Sequence, residues 1–357
     1  MSAAANARAA VRCLRAGIVP HSEIDQLSGA YDSIRRITER SLLSLRSSGQ
    51  GKTLLVRGEW GSGKTHFLSY LRAAAAKYSI STATIILNAR STPLNYPQRI
   101  YPVIAETLRV GEDVGLKAIL TRALRRLESN TDIERALASH EYFGPIRHLV
   151  RATREEAFHE IGGHWCWTPL LGADIAAMDY AYKREQALAR LGALGILLRA
   201  LGFGGLVLLF DEAETIDQLW NVRSRLAAYD VLGRLCHTDA LWCIFAVTER
   251  FDRTIHLDLA RDVLSDPTCS QHAQWFLRAW SSNRFDTIRL PELDQTVAIQ
   301  IAGAVARIYE VAYGRYPENL PDRCVREWSA NPARNPRRLM RLLIHRLDLA
   351  RTAPAGA

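Results

Sequence analysis

One stretch combines residue types and spacing that suit phosphate chemistry: LLVRGEWGSGKTHFLSYL, Leu54 to Leu71. Gly58, Gly63, Lys64 and Thr65 stand in the spacing G-x-x-x-x-G-K-[ST], after an apolar run and before a segment patterned as a helix. Glycines let the backbone take positive φ and turn amide N–H groups onto phosphate oxygens. A helix opening near Gly63 would add the positive end of its dipole. Lys64 would reach the β- and γ-phosphates of ATP, and the Thr65 hydroxyl would ligate Mg²⁺. Glu59, Trp60, Gly61, Ser62 and His66 complete the expected contact segment. Gly61 eases the turn. Trp60 occupies a freely variable position and is expected to point away from the phosphates, onto a neighbouring element or a subunit interface.

Hydrolysis needs an acidic partner for such a loop, and LVLLFDEAET ends an apolar run on Asp211 and Glu212. Asp211 would hold the Mg²⁺ shell, and Glu212 would orient and deprotonate the attacking water. An acidic pair can also merely close a strand; with a phosphate loop upstream it reads as the hydrolytic half of a site. Glu214 reads as a solvated loop residue. The next apolar run, WCIFAV, is followed by Thr248. Neighbouring parallel strand ends line one crevice, so Thr248 either hydrogen-bonds the attacking water or the γ-phosphate or is simply a threonine closing its strand. Arg284, in SSNRFDTIRLPEL, could be presented to the nucleotide of a neighbouring subunit, with Arg250 and Arg253 as rivals. Arg337 follows Pro336 at the start of a C-terminal helix, where an arginine can swing onto the γ-phosphate. Arg334, Arg338, Arg341 and Arg346 form either a basic face for nucleic acid or an ordinary solvated face. The guanine-specifying pattern N-K-x-D is absent, so adenine is the expected base.

The elements that must position these residues are legible as periodicity. TLLVRG, STATIILNA, GGLVLLFDEAE and ALWCIFAVTER read as buried strands, and RFDTIRLPEL holds a short fifth. Helices are expected over about 3–16, 28–47 and KTHFLSYLRAAAAKY, and again after Pro291. From Pro93 to about Leu201 the pattern is helical, with turns at GED, ESNTD, FGP and IGGHWCWTPLLG and no strand signal. His164 and Cys166 in that last turn do not make a metal site. Strands separated by helices imply a parallel sheet with crossover connections.

The chain of 357 residues has room for a sizeable core. Its net charge of +9 and pI near 9.4 favour polyanionic company. Only five of its 46 basic residues are lysine, so coding-base composition can account for part of that skew. Six cysteines without a CxxC pair argue against a zinc site or a disulfide framework and suit a reducing compartment. The N-terminus lacks the apolar core of a signal peptide, and no run of apolar residues is long enough to span a membrane. A cytoplasmic protein is expected.

The set Gly58–Thr65, Asp211/Glu212, Thr248, Arg284 and Arg337 resembles an AAA+ type P-loop ATPase. Three stretches carry a closer likeness: AVRCLRAGIVP with LSGAYDSI, RGEWGSGKTHFL with its aromatic at Trp60, and GFGGLVLLFDEAETI. They resemble the ATP-binding, BrxD-like proteins of BREX anti-phage systems. The resemblance implies a three-layer α/β P-loop NTPase domain with a central parallel sheet, a long helical insertion and a small C-terminal helical lid. The boundaries it implies are a helical entry segment over 1–50, the ATPase domain over 51–292 with its insertion over about 93–201, a lid over 293–350, and a disordered tail over 351–357. It further implies Mg²⁺-dependent ATP hydrolysis driving assembly or remodelling on DNA, in a homo-oligomer working with other defence proteins. The alternative is an ATP-dependent switch or scaffold with little turnover, such as a transposition-type regulator.

Overall fold

The computed structural model describes residues 2–20, 23–125, 180–290, 293–331 and 334–352. In chain order the first elements are α1 (Ala3–Ala16), a 3₁₀ turn (Gly29–Tyr31), α2 (Asp32–Ser48), β1 (Lys52–Arg57), α3 (Lys64–Lys77) and β2 (Ser81–Ile86). Then come α4 (Pro97–Thr107), β3 (Arg109–Val110), β4 (Asp113–Val114), α5 (Leu116–Arg125), α6 (Tyr180–Ala200) and β5 (Leu206–Asp211). A 3₁₀ turn (Ala213–Gln218), α7 (Val222–Cys236), β6 (Leu241–Val247), α8 (Glu249–Ala260), α9 (Gln271–Ser281) and β7 (Asp286–Arg289) follow. The last are α10 (Gln295–Tyr313), α11 (Leu320–Ser329) and α12 (Pro336–Thr352). The expected turns at ESNTD, FGP and IGGHWCWTPLLG lie outside the described residues, as does the end of the tail.

The chain divides into two compact, interleaved units: 1–39, 57–74 and 289–357 form one, and 40–56 with 75–288 the other. The larger unit holds a mixed, mostly parallel sheet in the order β4-β3-β2-β5-β6-β1-β7. β5 runs parallel to both β2 and β6, with Leu206 opposite Ser81 and Leu241, and Phe210 opposite Ile85 and Phe245. Every residue of β5 and β6 is buried. Strands covered on both faces read as unbroken apolar runs, which is why LVLLF and LWCIFAV carry no alternation. Phe210 and Phe245 stack at 4.8 Å in the middle of this core.

One expectation needs correction. The stretch after Pro93 is not wholly helical: β3 and β4 form a minimal antiparallel ribbon, Arg109 opposite Val114 and Val110 opposite Asp113. The GED turn between them is made possible by Gly111 at φ +57°. Two-residue strands are too short to show any period.

In the smaller unit, α1, α10, α11 and α12 surround their own core of Tyr309, Trp328, Leu339, Leu343 and Leu347. α1 begins on Ser2, whose side chain accepts from the Ala5 N–H, and ends on Gly17 in the left-handed conformation. Leu339, Leu343, Ile344 and Leu347 recur on one stripe of α12 and are all buried.

Candidate nucleotide site

The phosphate-loop segment lies in the smaller unit. Gly61 and Gly63 take φ +80° and +101°, which a side chain would strain. Gly58 is tight for a different reason: a Cβ there would collide with the Ser62 hydroxyl. Lys64 is buried, and its Nζ donates to the carbonyls of Gly58 at 2.8 Å and Glu59 at 3.2 Å. The ammonium is therefore curled over its own loop, held by backbone oxygens. α3 starts at Lys64, the Phe67 N–H bonding back to the Gly63 carbonyl at 2.8 Å. Its first-turn amides face the loop as an anion site requires. Thr65 is exposed at that terminus, and the Ser62 hydroxyl is buried without a hydrogen-bond partner among the described residues.

Two supports of this loop escape any reading of the motif alone. Tyr31, buried in the smaller unit, donates its hydroxyl to the Gly63 carbonyl at 3.1 Å. Its ring packs edge-on against Phe67 at 4.9 Å and tilts against His66 and Tyr70 at 5.5 Å each. His66 is half-buried in this cluster, and burial pushes its pKa down to about 4, against a bond with the Leu27 backbone that favours the proton. The ring is thus neutral at physiological pH, with Nε2 3.3 Å from the Ser28 hydroxyl.

The second support is Asn335. Its side chain accepts from the Arg338 N–H at 2.9 Å, capping α12, and its carbonyl accepts from the Trp328 indole at 3.1 Å. The same residue sits beside the loop, where a Cβ on Gly61 would meet it at 3.3 Å. The capping signal is visible in the sequence, because Asn followed by Pro is a helix start. Its contact with the loop is not. Two residues further on, Arg337 places its guanidinium 4.8 Å from the centre of the Trp60 ring, which is 68% exposed. Trp60 does turn onto a neighbouring element, and that element carries the arginine expected to sense the γ-phosphate.

In the larger unit, Asp211 ends β5 and is buried, and the Glu212 N–H donates to its Oδ1 at 3.0 Å. Glu212 takes φ +59° and ψ +36°, left-handed backbone that is uncommon for a glutamate. Strain of this kind, roughly 1 kcal/mol or more, concentrates where a side chain must be aimed. Glu214, expected to be solvated, is instead buried. Thr248 follows β6 and is buried, its Oγ1 lacking any hydrogen-bond partner among the described residues. A buried hydroxyl costs about 1–3 kcal/mol when left unpaired. Of the candidate trans-acting arginines, Arg284 is exposed and in no ion pair among the described residues. Its rival Arg250 is committed to Asp217 at 2.6 Å.

A family model described as BREX system ATP-binding protein BrxC/D matches residues 3–161 and 176–356. The chain belongs to that family. No curated protein matches it at a significant level. Membership makes ATP the ligand class and a BREX defence system the setting. The likeness carried by RGEWGSGKTHFL and GFGGLVLLFDEAETI thus extends over nearly the whole chain. Among the described residues no helix is long and apolar enough to cross a membrane.

Proposed function

We propose that this protein is a cytoplasmic, AAA+ type, Mg²⁺-dependent ATPase that couples hydrolysis to assembly or remodelling on DNA within a BREX system. The observation that carries the reading is the phosphate loop itself: two left-handed glycines, a helix starting at Lys64 and the Lys64 ammonium held over the loop by carbonyls that phosphate can replace. Lys64 transfers its Nζ from those carbonyls to the β- and γ-phosphates. The loop amides and the start of α3 hold the remaining oxygens.

The donor set also fits magnesium. That ion keeps several waters and needs only one or two protein oxygens beside the phosphates. Thr65 and Asp211 are the residues to supply them. Bound there, the ion would neutralise charge developing on the phosphates. Glu212 accepts the proton of the attacking water, and the unpaired Thr248 hydroxyl orients that water or the γ-phosphate. Arg337 leaves Trp60 for the γ-phosphate, and Arg284 serves the site of a neighbouring subunit in a homo-oligomer.

Two variants separate the parts of this reading. Lys64→Ala should abolish ATP binding measured by calorimetry; unchanged affinity would remove the phosphate-loop assignment. Glu212→Gln should bind ATP but lose turnover. If wild type hydrolyses ATP no faster than this variant, with and without DNA, the protein is a nucleotide switch and not an enzyme.

A further inference from the structure

The net charge of +9 is concentrated to an unusual degree. Nine arginines and a single acidic residue, Asp348, lie in α1 and residues 334–352, leaving eight net positive charges there. Asp348 is already engaged by Arg15 at 2.8 Å and by the Tyr309 hydroxyl at 2.9 Å. Glu327, on α11, is engaged by Arg346. By contrast Arg12, Arg334, Arg338 and Arg341 are exposed and enter no ion pair among the described residues. Arg338 and Arg341 follow one stripe of α12 opposite its buried leucines, with His345 next along it. Arg341 also reaches the end of α1, where a methyl group on Gly17 would meet its guanidinium at 3.1 Å. Both helices belong to the smaller unit and pack on each other.

We propose that this face binds the phosphate backbone of duplex DNA. The inference rests on the reading of the protein as an ATPase acting on DNA and names the surface that would make the contact. Exposed arginines without carboxylate partners answer a polyanion, since duplex DNA presents a charge about every 1.7 Å of its axis. A single-stranded ligand would call for aromatic stacking platforms, and neither α1 nor residues 334–352 contains an aromatic side chain other than His345. Contacts of this kind position the protein without reading sequence.

The test uses the full chain and a short labelled duplex, with anisotropy recorded at several salt concentrations. Each phosphate contact adds about 0.9 to the slope of log affinity against log salt. The triple variant Arg12→Gln, Arg334→Gln, Arg338→Gln should flatten the slope by up to about 2.7 and weaken binding about a hundredfold or more near 0.1 M salt. The matching lysine variant should keep a steep slope, which rules out misfolding as the cause. ATP affinity should be retained by both. If wild type binds with a steep slope and the glutamine variant behaves identically, this surface is wrong while the DNA reading stands. If instead Arg250→Gln, Arg253→Gln, Arg261→Gln flattens the slope, the contact lies on α8 and the proposal is overturned. If wild type ignores duplex DNA at low salt, both the surface and the DNA part of the proposed function fall.

Discussion

Replacing Trp60 by leucine should tighten ATP binding, although it removes a large contact beside the nucleotide loop. The guanidinium of Arg337 lies 4.8 Å from the Trp60 ring centre, within the range of a cation–π contact. Trp60 is 68% exposed, so the interaction belongs near the low end of its scale, about 0.5–1 kcal/mol. If Arg337 must leave the ring to reach the γ-phosphate, the parked state outnumbers the free one about two- to fivefold, and apparent affinity is reduced by the free fraction. Removing the ring should therefore tighten ATP about three- to sixfold. ADP lacks the γ-phosphate and should be indifferent, which makes the ATP-to-ADP ratio the decisive readout. Calorimetric titration of Trp60→Leu and wild type with each nucleotide provides it. Equal changes for ATP and ADP would show that Trp60 acts on the loop and not through Arg337. Weaker ATP binding would refute the competition outright. Arg337→Ala should cancel the gain when combined with Trp60→Leu, because the two residues act on one equilibrium.

Tyr31→Phe removes the hydroxyl bonded to the Gly63 carbonyl while keeping the ring stack; that carbonyl still receives the Phe67 N–H, so ATP affinity should fall only about two- to fivefold, from roughly 0.5–1 kcal/mol. An unchanged affinity would show that the loop holds its shape without this anchor. His66, neutral in the fold with a pKa of about 4, should lose stability for the protein as pH falls from about 6.5 towards 4, because only the unfolded chain then takes up the proton. Between pH 6.5 and 5 the loss is about 2 kcal/mol, and urea titrations of His66→Asn should lack that slope. Asp258 accepts from Arg225 at 2.6 and 2.7 Å and from the Tyr229 hydroxyl at 2.9 Å, all buried in the larger unit. Asp258→Ala strands a buried guanidinium at about 3–5 kcal/mol and should lower Tm by roughly 10 °C. A shift under a few degrees would mean that water reaches Arg225.

What could be read in advance divides along physical lines. The phosphate loop was legible because its chemistry constrains the backbone, and only glycine at Gly61 and Gly63 tolerates the φ that chemistry needs. β5 and β6 were legible because burial on both faces demands unbroken apolar runs. The β3–β4 ribbon was not, since two residues carry no period. The bond from Tyr31 to Gly63 spans 32 residues, and no local pattern could join them. Glu212 is a subtler case. Its side chain was readable as an acid after an apolar run, but its left-handed backbone contradicts what a glutamate prefers and therefore leaves no compositional trace.

The charge of the chain follows the same division and bears on how the nucleotide loop and the proposed DNA face are arranged. A pI near 9.4 was ambiguous while the arginines were counted over the whole sequence. Their placement removes much of that ambiguity, because ordinary solvated arginines would be interspersed with acids, and the nine of α1 and residues 334–352 have only Asp348 among them in those segments. Arg337 and Arg338 are consecutive residues on the first turn of α12, one over Trp60 at the nucleotide loop and the other among the unpaired arginines. Asn335 caps that turn and touches Gly61. A movement of the first turn of α12 that draws Arg337 off Trp60 would carry Arg338 with it, since the two are consecutive in one helix. Nucleotide state and the basic face would then be coupled through a single turn, and by linkage DNA should change ATP affinity by the same factor that ATP changes DNA affinity.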